Sequence, residues 1–271
     1  MAQNSDKPKY IVVSFSGGKD STAMLLRMLE LGEHIDEVIC CDTYKEFPAM
    51  YRHIEKVKKV IEAHGIKFTV LRAEKDFDYL MFERFTKNGT SGSGWPTFRM
   101  RWCTGELKKD VIKKYLKNLN KQYNVIQCVG LAADEKYRLD RAINRLDGKR
   151  HPLVEWGWVE NYCLEYCYSK GFYWEWLYDV FDRVSCWCCP LKSLGELRKL
   201  RKHCPDLWKE LRDMDKRAWN QFRSDYSVED LEIRFAFEEE RLEQGLSITN
   251  RDFHIKLKER LNNGNKNQKL N

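Results

Sequence analysis

The residues with the clearest chemical purpose are Ser16-Gly17-Gly18-Lys19-Asp20-Ser21, which join the apolar run Tyr10 to Phe15 to a helical pattern beginning at Thr22. A β-branched run that ends in two glycines, followed by apolar residues at helical period, predicts a strand, a tight loop and a helix N-terminus. Such a junction is an anion site. The glycines admit a ligand close to the backbone, and the first helical N–H groups point outward without intrahelical partners. Lys19 and Ser21 add a charge and a hydroxyl, so the chemistry expected there is the gripping of phosphate groups. A Walker loop is excluded, because that loop separates its first glycine from its Gly-Lys pair and here the glycines are adjacent.

Two further stretches carry charged groups where strands are expected to end. Asp42-Thr43 closes the run Glu37 to Asp42, with Glu46 in the following turn; Asp42 serves either a ligand or the cap of the helix beginning near Pro48. Gly130-Leu131-Ala132-Ala133-Asp134-Glu135-Lys136-Tyr137-Arg138 follows the run Asn124 to Gly130. Asp134 or Glu135 suits magnesium, while Arg138 and Arg141 suit phosphate or sulfate, the plainer reading being an exposed helix start.

Ten cysteines form the second signal. Cys186 and Cys189 make a C-x-x-C followed by Pro190, a spacing that lets two thiolates converge on one metal or cluster. Cys103 stands beside a basic helix start, within Arg99 to Lys108. Cys163 and Cys167 are four apart, on one face of an expected helix. Cys40, Cys41 and Cys128 fall in apolar strand runs and are expected in the core.

The elements that must position these groups alternate strand and helix: Tyr10 to Phe15, the helix after Ser21, Glu37 to Asp42, Pro48 to His64, Lys67 to Arg72 and Asn124 to Gly130. That alternation predicts an α/β fold, a doubly wound parallel sheet with ligands at the carboxyl ends of its strands. A sheet domain is expected over residues 8–152. A helical, cysteine-containing subdomain is expected over 153–258 and a disordered tail over 259–271. Asn88 to Gly94 reads as a mobile loop able to act as a lid. The aromatic set Trp156, Trp158, Phe172, Tyr173, Trp174 and Trp176 reads as the core of the helical part, and Ser193 to Trp219 as a basic helix pair broken at Pro205.

A net charge of +7 favours anionic ligands and leaves nucleic acid open. No apolar run has the length of about 20 residues that crosses a bilayer, and the polar start lacks a secretory apolar region, so a cytoplasmic protein without a membrane partner is expected.

Taken together, Ser16 to Ser21, Asp42-Thr43, Trp102-Cys103-Thr104 with Lys108, Gly130 to Arg138 and Cys186 to Pro190 resemble the phosphoadenosine phosphosulfate (PAPS) reductase family. That family lies within the adenine nucleotide α-hydrolase superfamily, whose pyrophosphatase loop has this glycine spacing; the resemblance spans roughly residues 8 to 205. It implies an adenine nucleotide, ATP with magnesium, held by Ser16, Gly17, Gly18, Lys19, Asp20, Ser21, Asp42, Thr43 and Gly130. Cleavage to AMP and pyrophosphate would adenylate an acceptor, with Lys19, Asp20 and Arg138 as the catalytic residues. It also implies an iron–sulfur cluster, with zinc as the alternative, on Cys103, Cys186 and Cys189. Cys167 is the first choice as fourth ligand, with Cys188 and Cys204 as alternatives, because one cysteine of the family's first pair is missing here. The acceptor side of the reaction implies sulfate, a sulfur donor or a nucleic-acid substrate. No cysteine follows Cys204, which speaks against the family's terminal nucleophile. Two other readings stand beside adenylation: a sulfonucleotide reductase using Cys188 or Cys204, and a non-catalytic nucleotide-sensing module that binds a partner through Ser193 to Trp219.

Overall fold

The computed structural model describes residues 7–85, 89, 91–135, 138, 140 and 148–268. Its sheet has five parallel strands, β1 (Lys9–Phe15), β2 (Glu37–Asp42), β3 (Lys67–Arg72), β4 (Asn124–Val129) and β5 (Lys149–Arg150), in the order β3-β2-β1-β4-β5. The first strand is therefore central, with β2 and β4 at its sides. Its consecutive residues Val12 and Val13 are both fully buried, which requires cover on both faces.

One face is covered by α1 (Lys19–Glu30) and α2 (Pro48–Ala63), from which His53 approaches Phe15 with ring centres 6.4 Å apart. The other face packs Val12, Ile39, Leu71 and Val125 against α3 (Asp110–Leu119), through Val111, Ile112, Tyr115, Leu116 and Leu119. Helices on both faces of a parallel sheet make the doubly wound α/β fold that the alternation predicts. Within that second face Glu37 is fully buried; Tyr115 donates to it at 2.6 Å and Lys67 pairs with it at 2.9 Å.

The chain divides into two compact units, Met1–Phe77 with Trp102–Cys186, and Asp78–Arg101 with Trp187–Asn271. This division differs from the expected boundary near residue 152. Residues 153–186 join the sheet because α4 (Glu160–Ser169) packs along α1, where Tyr166 donates to Glu30 at 3.0 Å and Lys170 at 2.7 Å.

In the second unit, α5 (Leu194–His203) and α6 (Pro205–Arg217) are the pair expected around Pro205, and α5 opens with a reciprocal Ser193–Glu196 cap. A matching Ser227–Asp230 cap opens α7 (Val228–Glu243), which is followed by α8 (Arg251–Gln268). The expected disordered tail is thus helical as far as Gln268. Phe253 and Leu257 pack with Phe237, Leu261 continues their stripe at i+4 spacing, and Arg260 pairs with Glu240 at 2.7 Å.

The expected lid also differs. Asn88 and Thr90 lie outside the described residues, but Gly92, Ser93 and Gly94 are buried and donate to the carbonyls of Arg84, Leu80 and Met81. A side chain at Gly92 would meet the Met81 carbonyl oxygen at 2.0 Å, so glycine here serves close packing.

Candidate nucleotide site

Ser16 to Gly18 leave the carboxyl end of the central strand, and α1 begins at Lys19 with Gly18 as N-cap. Gly17 has φ +79, and a Cβ there would lie 2.7 Å from the Met50 sulfur. Both facts require glycine. The loop is laced internally: the Ser16 amide donates to Ser21 Oγ at 3.2 Å, while Ser21 Oγ and Thr22 Oγ1 each donate to the Gly18 carbonyl at 3.0 Å. Gly130, just past β4, packs directly on the start of α1; a Cβ on it would stand 2.9 Å from the backbone nitrogen of Ser21.

Residues 171–178 brace the same loop. Trp174 Nε1 donates to the Gly17 carbonyl at 2.6 Å, and the Lys19 amide donates to the Tyr178 hydroxyl at 3.0 Å. The Trp174 ring stacks on His53 at 4.3 Å, and His53 Nε2 lies 3.1 Å from Thr22 Oγ1. Burial pulls the His53 pKa down to about 4, so this imidazole is neutral at neutral pH. Phe172 and Trp174 are buried, whereas Tyr173 is exposed, so the aromatic set is only partly core. Sequence reasoning assigned Trp174 to packing and passed over Tyr178. Neither residue carries a local pattern that points to a loop more than 150 positions away.

A cavity of 490 Å³ opens over the loop, lined by Ser16, Gly18, Lys19, Asp20, Ser21 and Gly130 together with charged side chains of both signs. The cations are Lys19, Lys108, Arg138 and Arg183; the carboxylates are Asp20, Asp134, Glu135 and Glu160. Lys19 pairs with Glu160 and lies 3.6 Å from Asp20. Burial works to lower the Lys19 pKa, but the Glu160 hydrogen bond and the Asp20 charge outweigh it and keep the ammonium protonated. Asp20 is pushed up to about 6 by burial, only partly opposed by Lys19, and the Glu160 and Glu135 charges add to the rise. Among the described residues, Asp20 Oδ1 and Glu135 Oε2 are buried with no hydrogen-bond partner. Arg138 pairs with the other Glu135 oxygen, and Asp134 accepts from the Glu160 amide at 3.2 Å. Arg141 lies outside the described residues, as do Lys136 and Tyr137.

Asp42 and Thr43 do not line the cavity. The Asp42 carboxylate accepts from the Tyr44 amide at 2.8 Å and from Tyr51 at 2.9 Å, and pairs with Arg72 at 3.1 Å. It ties the strand end to α2. Thr43 Oγ1 donates to Glu46 at 3.1 Å, and the Cys186 thiol donates to the same carboxylate oxygen at 3.4 Å. Lys108, which does line the cavity, lies 3.6 Å from that oxygen.

The expected metal ligands fall in different surroundings. Cys167 is fully buried on α4, its thiol donating to the Lys19 carbonyl at 3.6 Å and its pKa raised first by burial and then by the neighbouring Cys163 and Asp20, with Lys19 opposing. Cys186 meets Glu46 and Thr43 instead. Cys186 ends the first unit and Cys189 belongs to the second. Among the described residues no three His, Cys, Asp or Glu side chains are grouped to hold a metal ion. Cys40 and Cys128 are buried core residues, as their strand runs imply.

The chain belongs to the family of the phosphoadenosine phosphosulfate reductase domain, whose family model matches residues 10–192. An uncharacterized protein of Methanocaldococcus jannaschii is 29% identical over 223 residues, covering 74% of this chain and 40% of its own length. A second uncharacterized protein of that organism is 27% identical over 212 residues, covering 76% of this chain and 48% of its own. The chain thus spans less than half the length of the curated relatives it matches. Among solved structures, phosphoadenylyl-sulfate reductase from Candida auris, crystallised as a phosphate complex, is similar at 15% identity and a TM-score of 0.43. That match covers 65% of this chain and 81% of the Candida chain. Among the described residues no helix is long and apolar enough to cross a membrane.

Proposed function

We propose that the cavity binds ATP with magnesium and that the chain breaks its α–β phosphate bond, releasing pyrophosphate as the AMP moiety is joined to an acceptor, from which AMP leaves when the adenylate reacts on. The observation that carries this reading is the pair of buried carboxylate oxygens without a hydrogen bond among the described residues, Asp20 Oδ1, which has only the Lys19 ammonium at 3.6 Å, and Glu135 Oε2, beside a glycine loop and a helix start that suit phosphate. A cavity walled by four cations and four carboxylates is unsuited to a bare anion and suited to a polyphosphate that brings its own cation. Asp20 and Glu135 are the residues that would hold magnesium, which supplies charge neutralisation along the phosphates.

The remaining work belongs to the chain. Gly17 and Gly18 let the phosphates reach the first turn of α1. Lys19, released from Glu160, and Arg138, released from Glu135, stabilise the negative charge that grows on the departing pyrophosphate. Tyr178 and Trp174 hold the loop in the shape that presents those donors.

The test is calorimetric titration of ATP with magnesium, alongside a pyrophosphate-release assay, on the wild-type chain and Lys19→Ala. Loss of one charge-assisted contact of about 1.5–3 kcal/mol corresponds to affinity weakened by tenfold or more. Unchanged affinity and turnover in Lys19→Ala would overturn the reading.

A further inference from the structure

The outer face of α3 (Asp110–Leu119) is a lysine surface that the nucleotide reading does not use. Lys109, Lys113, Lys114, Lys117 and Lys121 are all exposed, and among the described residues none has an ion-pair partner. At 100° per residue the four from Lys109 to Lys117 fall within one arc of the helix, about 140° wide. Val111, Ile112, Tyr115, Leu116 and Leu119 fill the opposite arc and are spent on the sheet. Asp110 is the one carboxylate on this helix. Lys108, immediately before Lys109, lines the nucleotide cavity.

We infer that this face docks the phosphate backbone of a nucleic-acid duplex. Lys109, Lys113 and Lys117 repeat every helical turn, at about 6 Å intervals, so they present a row of point charges about 12 Å long to a regularly charged partner. A membrane surface fits poorly, because the apolar arc that would enter the lipid is already packed on the sheet. An acidic protein fits poorly as well, since stable protein interfaces centre on aromatic or arginine anchors and are depleted in lysine. A single strand would call for aromatic rings to stack on its bases, and the lysine arc has none. The contact reads backbone and shape, with no sequence preference. Its role rests on the adenylation reading: the duplex is then the acceptor brought to the mouth of the cavity.

The experiment measures binding of the full chain to short labelled duplex DNA and duplex RNA, the corresponding single strands and polyglutamate, by fluorescence anisotropy across a salt series. Duplex binding is expected to weaken with salt at a logarithmic slope of magnitude up to about 4. Lys113→Ala with Lys117→Ala should lower affinity about tenfold or more and reduce the slope by about 2. The DNA and RNA arms identify which duplex is preferred. Absence of duplex binding at low salt, an unchanged slope in the double variant, or equal binding of single strands or polyglutamate would overturn the inference. ATP affinity, titrated in the same preparations, should be equal in wild type and double variant. If ATP fails to bind while the duplex binds, the nucleotide reading falls and the docking face stands.

Discussion

The indole of Trp174 donates to the carbonyl of Gly17 at 2.6 Å, although 157 residues separate the two. The bond is buried, and a buried carbonyl left without a donor is costly, so the indole meets a need of the loop backbone. Trp174→Phe keeps a ring against His53 but leaves that carbonyl without its donor, a loss of about 1–3 kcal/mol. The variant is expected to melt several degrees below wild type and to bind ATP more weakly, as read by calorimetry and titration. An unchanged melting temperature would show that the brace does not stabilise the loop.

Gly130→Ala tests the approach of the sheet edge to α1. The added methyl would stand 2.9 Å from both Ser21 Cα and Ser21 N, neither of which can turn aside as a side chain would. Overpacking of this kind costs about 1–3 kcal/mol. Nucleotide affinity should fall more than stability, because the displaced atoms are the first turn of the helix that faces the phosphates. Affinity and melting temperature measured side by side check this ordering.

Asp20 gives the site a pH dependence of defined sign. Its folded pKa of about 6 lies above the ordinary carboxylate value of 3.8 because burial disfavours the charge. Its contribution to stability is therefore complete below about pH 4 and lost as pH rises through about 6. Asp20→Asn should be more thermostable than wild type above pH 6, with the gap closing toward pH 4, while its affinity for ATP with magnesium is reduced. In the wild type that affinity should fall as pH drops below about 6. Melting curves and titrations across the range read both effects.

The legible part of the chain was the part governed by local pattern. The strands from Tyr10, Glu37, Lys67 and Asn124 and the helix after Ser21 follow from runs of apolar residues bounded by glycine and polar turns. Lys19, Asp20, Gly130 and Arg138 meet in one cavity, as the strand ends imply. Glu160, Trp174 and Tyr178 were illegible as site residues because their role comes from packing α4 and the turn after it against α1. Asp42 differs for the same reason: Tyr51 and Arg72, on neighbouring elements, take up a carboxylate that sequence alone left available for a ligand. The helix running to Gln268 was hidden by its polar, glycine-containing end; its anchor lies earlier, where Phe253, Leu257 and Leu261 pack with Phe237.

The cysteines separate by substitution. Cys167 lies under Lys19 with its thiol on a backbone carbonyl, whereas Cys186 belongs to the C-x-x-C. In anaerobically purified protein, Cys186→Ser is expected to lower bound iron or zinc and Cys167→Ser to leave it unchanged. Elemental analysis decides it. Metal lost equally in both variants would support Cys167 as the fourth ligand, as the sequence suggests.

The chain passes between the two units three times, after Phe77, Arg101 and Cys186, and this governs how the protein can be cut. Trp95, fully buried in the second unit, donates to Asp215 at 2.9 Å and accepts from Asn220 at 3.1 Å through its backbone carbonyl. A fragment beginning at Trp187 would lack that indole and keep a hole where it sits, so no single truncation excises the second unit intact. During synthesis the inserted residues 78–101 leave the ribosome more than a hundred positions before Asp215 and Asn220 exist to receive them. Until then the partners that hold this tryptophan in the folded unit do not exist, so the second unit cannot be completed before Asn220 is made.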